Sequence, residues 1–400
     1  MKMKNPFIAI ISAAVLSAIP SGIHAAESSY LDPLAEQLLQ NNPALSAAAH
    51  SSKADELALK AENQLEAPEI EVEHLFAGKG QKDKTGVTVS QSFDWPGAYM
   101  ARSRAIDASS EASRLRIASL RREKLLEAKL LMIDIIYTRR QLAVLDSVSA
   151  NISRQLAYTE DGFRRGELTI LDVNRMRIER LAIQTKISAA AMRQVSLRSS
   201  LEIMAGSTDV ADIWDRLDYF PSAPLATEDT YAAAAEENNP MIVSARAAAA
   251  AAKAEATAAR MNSLPGFTIG YRFSREEGRN FHGFVAGMTL PFLKKNRLAE
   301  SALEESLAAG FDFQETRIKV LSTVYALYSE ARQLYADNAE YSRIFDNGDN
   351  MRLLSMAYRG GELNSLDYLT SVNYFLDGML AYIESEYRQC VAVERLNALL

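Results

Sequence analysis

"FRRGELTILD", residues 163–172, and "YRGGELNSLD", residues 358–367, are two versions of one ten-residue stretch that interrupts otherwise helix-forming sequence. Each sets a glycine before Glu-Leu and an aspartate after a second leucine. Gly166 and Gly361 can take the left-handed backbone that ends a helix and reverses the chain, which costs other residues more. Leu168 with Leu171, and Leu363 with Leu366, are spaced to pin each turn to its neighbours at the start of the next helix. Asp172 and Asp367 then fall in that helix's first turn, where a carboxylate is favoured electrostatically. The two turns lie 195 residues apart, so the chain reads as two copies of one unit.

Other landmarks follow in the same order. "NNPALSAAA" at 41–49 matches "NNPMIVSAR" at 238–246, an offset of 197. The same offset carries Pro68 onto Pro265 and residues 87–93 onto 284–290. A repeat near 200 residues is far too long for an ordinary solenoid. Each copy opens on a helix at Asn-Asn-Pro, with Pro43 or Pro240 suited to the first helical turn. Two strands follow, predicted over 68–76 and 86–94 in the first copy and 265–273 and 283–292 in the second. A very long helix comes next, about 97–163 and 294–358, then the turn, then a returning helix over 168–205 and 363–400. The long helix matches the short and returning helices laid end to end, which predicts a bundle about 100 Å long at 1.5 Å per residue. In the first long helix Leu126, Leu130, Ile133, Tyr137, Leu142, Leu145, Val148, Ile152 and Leu156 form an apolar stripe of the coiled-coil kind.

The predicted strands alternate. Ile70, Val72 and Phe76 alternate with Glu69, Glu71 and Glu73, and Phe267, Ile269, Tyr271 and Phe273 with Thr268, Gly270 and Arg272. Period-two alternation gives one apolar face and one largely polar face. Two readings fit: a sheet packed on a helical core, or transmembrane strands with Glu71, Glu73 and Arg272 facing a watery lumen. Phe76, Trp95, Phe273, Phe281 and Phe292 suit an interfacial girdle, whereas His74 interrupts the apolar face. Four strands cannot close a barrel, and an open edge in lipid is not viable, so the second reading requires a cyclic oligomer.

The first 25 residues carry Lys2 and Lys4, an apolar run from Phe7 to Ile19, Pro20 and small residues to Ala25, and read as a secretory signal peptide. Its removal takes two positive charges away and moves the formal charge from −7 to −9. Such a chain has no electrostatic case for binding nucleic acid. Cys390 is the only cysteine, so no intrachain disulfide can form. The expected division is 1–25 signal, 26–205 first repeat, 206–237 connector and 238–400 second repeat.

These features together resemble the TolC family of outer-membrane efflux proteins: the signal, the duplicated helix, hairpin, long helix, turn and helix, the Asn-Asn-Pro opening and the paired [Phe/Tyr]-x-x-Gly-Glu-Leu-x-x-Leu-Asp. "VSQSFDWPGAYMARSRA" at 89–105 and "LPFLKKNRLAESALEE" at 290–305 are also similar to segments of the CzcC-like heavy-metal efflux branch. The resemblance implies a mainly α fold with a small β part: a long coiled-coil α-barrel and four transmembrane strands per chain, closing as a homotrimer with a 12-stranded barrel. It implies an outer-membrane location with a long periplasmic extension. It also implies the role of exit duct for a tripartite pump, with a periplasmic membrane-fusion adaptor and an inner-membrane pump of the RND type as partners. Type I secretion duct is the nearest alternative, and a soluble periplasmic coiled-coil adaptor the alternative of another class. Carried over by position, Asp367 and Thr370 would sit at the periplasmic gate, Thr370 standing where the archetype has a second acid. In the first copy Asp172 and Arg175 hold the corresponding places. Arg165, Gly166, Glu167, Leu168, Arg359, Gly360, Gly361, Glu362 and Leu363 would form the adaptor-docking tips.

No spacing of histidines, cysteine or carboxylates resembles a metal site. No nucleophile triad, phosphate loop or cofactor fingerprint occurs, so neither catalysis nor a cofactor is expected.

Overall fold

The computed structural model describes residues 29–76, 78, 83–206, 209–222, 224–276, 279–290, 294–345 and 350–400. The expected signal segment and Phe292 lie outside the described residues. The first copy runs α1 (Leu31–Leu39), α2 (Pro43–Glu62), β1 (Glu69–Leu75), β2 (Lys84–Phe93), α3 (Pro96–Arg164) and α4 (Ile170–Met204). After the small helix α5 (Ala211–Asp215), the second copy runs α6 (Glu228–Asn238), α7 (Pro240–Met261), β3 (Gly266–Glu276), β4 (Arg279–Thr289), α8 (Lys294–Phe345), α9 (Asn350–Arg359) and α10 (Ser365–Asn397). The second long helix, expected as one run over 294–358, is thus described as α8 and α9, with 346–349 outside the described residues. Helices α1 and α6 stand in corresponding places at the 197-residue offset, extending the repeat by one helix at its start.

The Asn-Asn-Pro motif joins helices end to end. The Asn42 side chain accepts hydrogen bonds from the Ala44 and Leu45 amides, capping α2, while its Nδ2 donates to the Met204 carbonyl at the end of α4, at 2.9 Å. Asn239 does the same in the second copy: it caps α7 and donates to the Leu399 carbonyl just beyond α10, at 2.9 Å. Both asparagines are buried, so one side chain satisfies orphan groups of two helix ends that water cannot reach. Gly206 takes φ of +66° beside this joint, where an added Cβ would lie 2.5 Å from the Asn41 carbonyl oxygen. The short and returning helices therefore form one column that lies alongside α3.

Four columns result. The α2/α4 column packs on α3, α3 on α7 and α10, and these on α8. The sheet repeats that sequence, with antiparallel order β1-β2-β3-β4. Its outer strands β1 and β4 are continuous with the outer columns, because β1 follows α2 and β4 precedes α8.

Most of the predicted stripe on α3 is core: Ile133, Tyr137, Leu145, Val148, Ile152 and Leu156 are buried. Near its middle α3 is covered on further sides, so Ala128, Met132, Ile135 and Ile136 are buried too, against Leu31, Leu34 and Leu38 of α1 and Ile213 and Leu217 of the connector. Lys129 lies between Asp32 and Glu394 there, 3.0 Å from the latter, tying α1 and α10 to α3. Among the described residues, no helix is long and apolar enough to cross a membrane.

Candidate functional site: paired turns and a two-faced sheet

Both turns are built by the same backbone hydrogen bonds. In the first, the Gly166 amide donates to the Phe163 carbonyl and the Glu167 amide to the Gly162 carbonyl, at 3.0 and 2.9 Å. In the second, the Gly361 amide donates to the Tyr358 carbonyl and the Glu362 amide to the Ala357 carbonyl, at 3.2 and 2.9 Å. This pair of bonds is the Schellman arrangement, and it needs a left-handed residue. Gly166 and Gly361 supply it with φ of +76° and +78°. Leu168 folds back on Gly162, where an added Cβ would lie 2.8 Å from Leu168 Cδ1. Leu363 is half-buried among Tyr358, Tyr368 and their neighbours.

The helices that leave the turns are capped differently. Thr169 and Asp172 form a capping box: the Asp172 amide donates to Thr169 Oγ1 at 3.3 Å and the Thr169 amide to Asp172 Oδ2 at 3.0 Å. Asn364 caps α10 by accepting from the Asp367 amide at 2.9 Å, while its Nδ2 donates to Asp367 Oδ2 at 2.6 Å. Asp367 and Thr370 are exposed.

Asp172 and Arg175 do form an ion pair, at 3.3 Å, but both belong to the first two turns of α4. The bridge between the two hairpins runs through Ser365, whose hydroxyl donates to Asp172 Oδ1 and accepts from Arg175 Nη1 at 3.2 Å. Burial opposes ionisation of Asp172, but hydrogen bonds from Ser365 and Thr169 outweigh it and hold the carboxyl below the usual aspartate range. Arg165 is engaged by Asp161 and by Glu167 at 2.9 Å, which lowers the Glu167 carboxyl. Arg359 donates to Gln155 Oε1 at 3.2 Å. Gly360, Gly361 and Glu362 are exposed at the end of the bundle.

Behind the second turn lies a buried polar cluster that no sequence motif announced. Tyr368 is fully buried, stacks on Tyr358 with ring centroids 4.8 Å apart, and donates to Asn151 Oδ1. Asn151 donates in turn to Ser355 Oγ at 2.8 Å, and Thr159 shares a 2.8 Å hydrogen bond with the Tyr358 hydroxyl. These bonds dock α9 and α10 on α3 more than 190 residues away. The only sequence signal was polar residues, Asn151, Gln155 and Thr159, on the face that should have been all apolar.

At the other end of the molecule the sheet register sorts the strand residues. Glu71 pairs with Thr88, and Thr88 with Arg272; Glu69 pairs with Ser90, and Ser90 with Gly270. Glu71, Glu73 and Arg272 therefore share one face, and Arg272 is bonded diagonally to Glu73. On the opposite face Ile70, Val89, Tyr271 and Phe284 make one row and Val72, Val87 and Phe273 the next. That apolar face is open: Ile70, Val72 and Phe284 are 68, 73 and 90% exposed. Gly86 and Gly270 are buried on the polar face, and an added Cβ at Gly270 would lie 2.8 Å from the Val89 carbonyl oxygen. At these two positions the polar face is thus closely crowded, as the inner side of a barrel wall would be. Two expectations are refined by the register. His74 belongs to the last row, with Thr85, Arg275 and Asn280, so it bounds the apolar band instead of interrupting it. Phe281 pairs with Ser274 on the polar face and cannot belong to an outward girdle.

A four-stranded sheet with one apolar and one polar face, continued by four helical columns with paired turns at the far end, has the architecture of TolC-like outer-membrane channels. Residues 232–400 match the outer membrane efflux protein family model, and the resemblance to the TolC family read from the sequence holds. Solved structures share the fold over nearly the whole chain. The Campylobacter jejuni CmeC outer membrane channel superposes with a TM-score of 0.72 at 15% identity, covering 96% of this chain and 90% of that one. The Vibrio cholerae outer membrane protein VceC gives 0.75 at 14% identity, covering 92% and 95%. A membrane protein from Pseudomonas aeruginosa gives 0.73 at 19% identity, covering 92% and 90%. No curated protein matches the sequence significantly.

Proposed function

We propose that this chain is the outer-membrane exit duct of a tripartite efflux pump, conducting passively what an inner-membrane transporter and a periplasmic adaptor deliver. The observation that carries the reading is the match between its unsatisfied edges. The sheet ends in unpaired edges on β1 and β4, and its outer face is apolar and uncovered. Neither state is tolerable in water or lipid unless the edges close. The outer helical columns are equally incomplete. On α4, Leu171, Ile178, Leu181, Met192, Val195 and Ile203 are exposed at spacings close to a coiled-coil seam. Leu303, Leu307, Phe311, Ile318 and Tyr325 form the matching seam on α8. Copies placed in a ring would join β4 to β1 and α8 to the α2/α4 column in a single operation. Three copies would make a 12-stranded barrel, apolar toward lipid, with Glu71, Glu73 and Arg272 in the lumen.

The turns would then lie at the periplasmic end. There Arg165, Glu167, Arg359 and Glu362, with their glycines and leucines, offer a polar rim for the adaptor. Asp367 and Thr370 would line the entrance, and the Asp172–Arg175–Ser365 bridge would hold the two hairpins of one protomer together when it is narrow. An RND-type pump follows only from the sequence resemblance, and the cargo is whatever that pump delivers. The test is to purify the protein from outer membranes and reconstitute it in planar bilayers. A heat-modifiable trimer with single-channel conductance is expected, and a soluble monomer would overturn the reading.

A further inference from the structure

We propose that the far rim of the sheet's apolar face binds the phosphate groups of a phosphorylated outer-leaflet lipid, with Arg275 as the principal contact. This rests on the sheet spanning the outer membrane, as proposed above. Along the apolar face, rows lie about 6.8 Å apart, two residues per row. From the Phe93, Phe267 and Met288 row, nearest the helices, to the Val72, Val87 and Phe273 row, the band is therefore about 20 Å deep. Among the described residues, the one permanent cation on this face stands at its far margin: Arg275 in the last row, with His74 in the same row and His282 opposite Phe273. The helix-side margin has none among the described residues, and carries Trp95 against Phe267 at 5.8 Å instead.

Arg275 is exposed and, among the described residues, has no anionic partner within the chain, in contrast to Arg272 on the polar face, which is bonded to Glu73. His74 already faces Asp83 at 3.6 Å, so Arg275 is the main free charge, with His282 beside it. A lipid-facing cation is costly at the midplane of a barrel but nearly free at its margin. There, the anion within reach is a lipid phosphate, which a guanidinium grips with two parallel hydrogen bonds. Phe273, Phe284 and Phe76 stand near Arg275 and the two histidines and present apolar surface to the same lipid's chains. Continuity of Arg275 with the apolar band favours a lipid over a soluble anion, which would gain nothing from those rings.

The full-length trimer, reconstituted in nanodiscs, is titrated with bisphosphorylated lipid A and with its dephosphorylated form, and bound lipid is counted by native mass spectrometry. Wild type should prefer the phosphorylated form, Arg275→Gln should reduce that preference about fivefold, and Arg275→Lys should retain more of it. Equal binding of the two lipids by wild type, or an unchanged preference in Arg275→Gln, overturns the proposal. If Arg275→Gln fails to assemble, the wild-type comparison alone decides. Conductance of the same preparation separates the two claims. A conducting trimer without phosphate preference refutes only the lipid site, whereas a trimer that neither inserts nor conducts refutes the duct.

Discussion

The two turns share one backbone and differ in what stands behind it. The first is held from the surface: a Thr169–Asp172 capping box, Arg165 between Asp161 and Glu167, and Leu168 laid on Gly162. The second is held from within, by stacked tyrosines and a hydrogen-bonded cluster reaching to α3. Identical turn chemistry can thus be anchored by ion pairs and a charged cap near the surface, which salt and pH weaken, or by buried polar groups, which are costly to leave unmade. If the chain is the duct proposed above, the two hairpins are expected to differ in stiffness.

The strongest way to break the comparison is Tyr368→Ala. It empties a fully buried aromatic site and orphans Asn151, so local opening of α9 and α10 should become easier by about 3–5 kcal/mol. Hydrogen exchange at the second turn reads this directly, and protection at the first turn should change far less. Gly166→Ala and Gly361→Ala sharpen the shared part. Both positions are open to a Cβ, so only the left-handed backbone opposes it, and each should cost about 1–2 kcal/mol, equally at the two turns. Unequal costs would show that the surroundings, not the turn, set the conformation.

Asp172→Asn addresses the charged side and should loosen the first turn by about 0.5–1 kcal/mol. Its carboxyl is held below the usual aspartate value, so its contribution is complete above about pH 4 and is lost as pH falls through the lowered value. Wild-type protection at the first turn should fall over that acid range, and Asp172→Asn should remove only its own part of the response, because Asp161 and Glu167 beside Arg165 are lowered as well. The smallest structural effect is expected of Asp367→Ala, because Asn364 still caps α10. Yet if Asp367 lines the entrance, single-channel conductance should rise, and unchanged conductance would remove it from the constriction.

Much of the fold was legible because its signals are local. Glycine before Glu-Leu specifies a turn, alternation specifies a two-faced strand, and a stripe at three- and four-residue spacing specifies a packed helix. The nine-residue α1 escaped, although Leu31, Leu34 and Leu38 are spaced as a helical face, because a short helix containing Pro33 sits below the length at which periodicity persuades. The site was half legible. Glu71, Glu73 and Arg272 fall together as their parity implied. Asp172 does pair with Arg175 three residues on, but its link to the other hairpin runs through Ser365, a residue with no distinguishing sequence context, because a contact across 193 residues leaves no local trace.

The duplication, the helical turns and the polar and apolar strand faces were determined by the sequence itself, since each depends on residue types within a few positions. Only the tertiary structure decided what Asn42 and Asn239 do, that Phe281 lies on the polar face and His74 in the last row of the apolar one, and that the unpaired sheet edges and the exposed helical seams lie on the same two sides of the chain. Those are matters of register and of which distant elements meet. They are set by satisfying buried polar groups and apolar surface over the whole molecule at once.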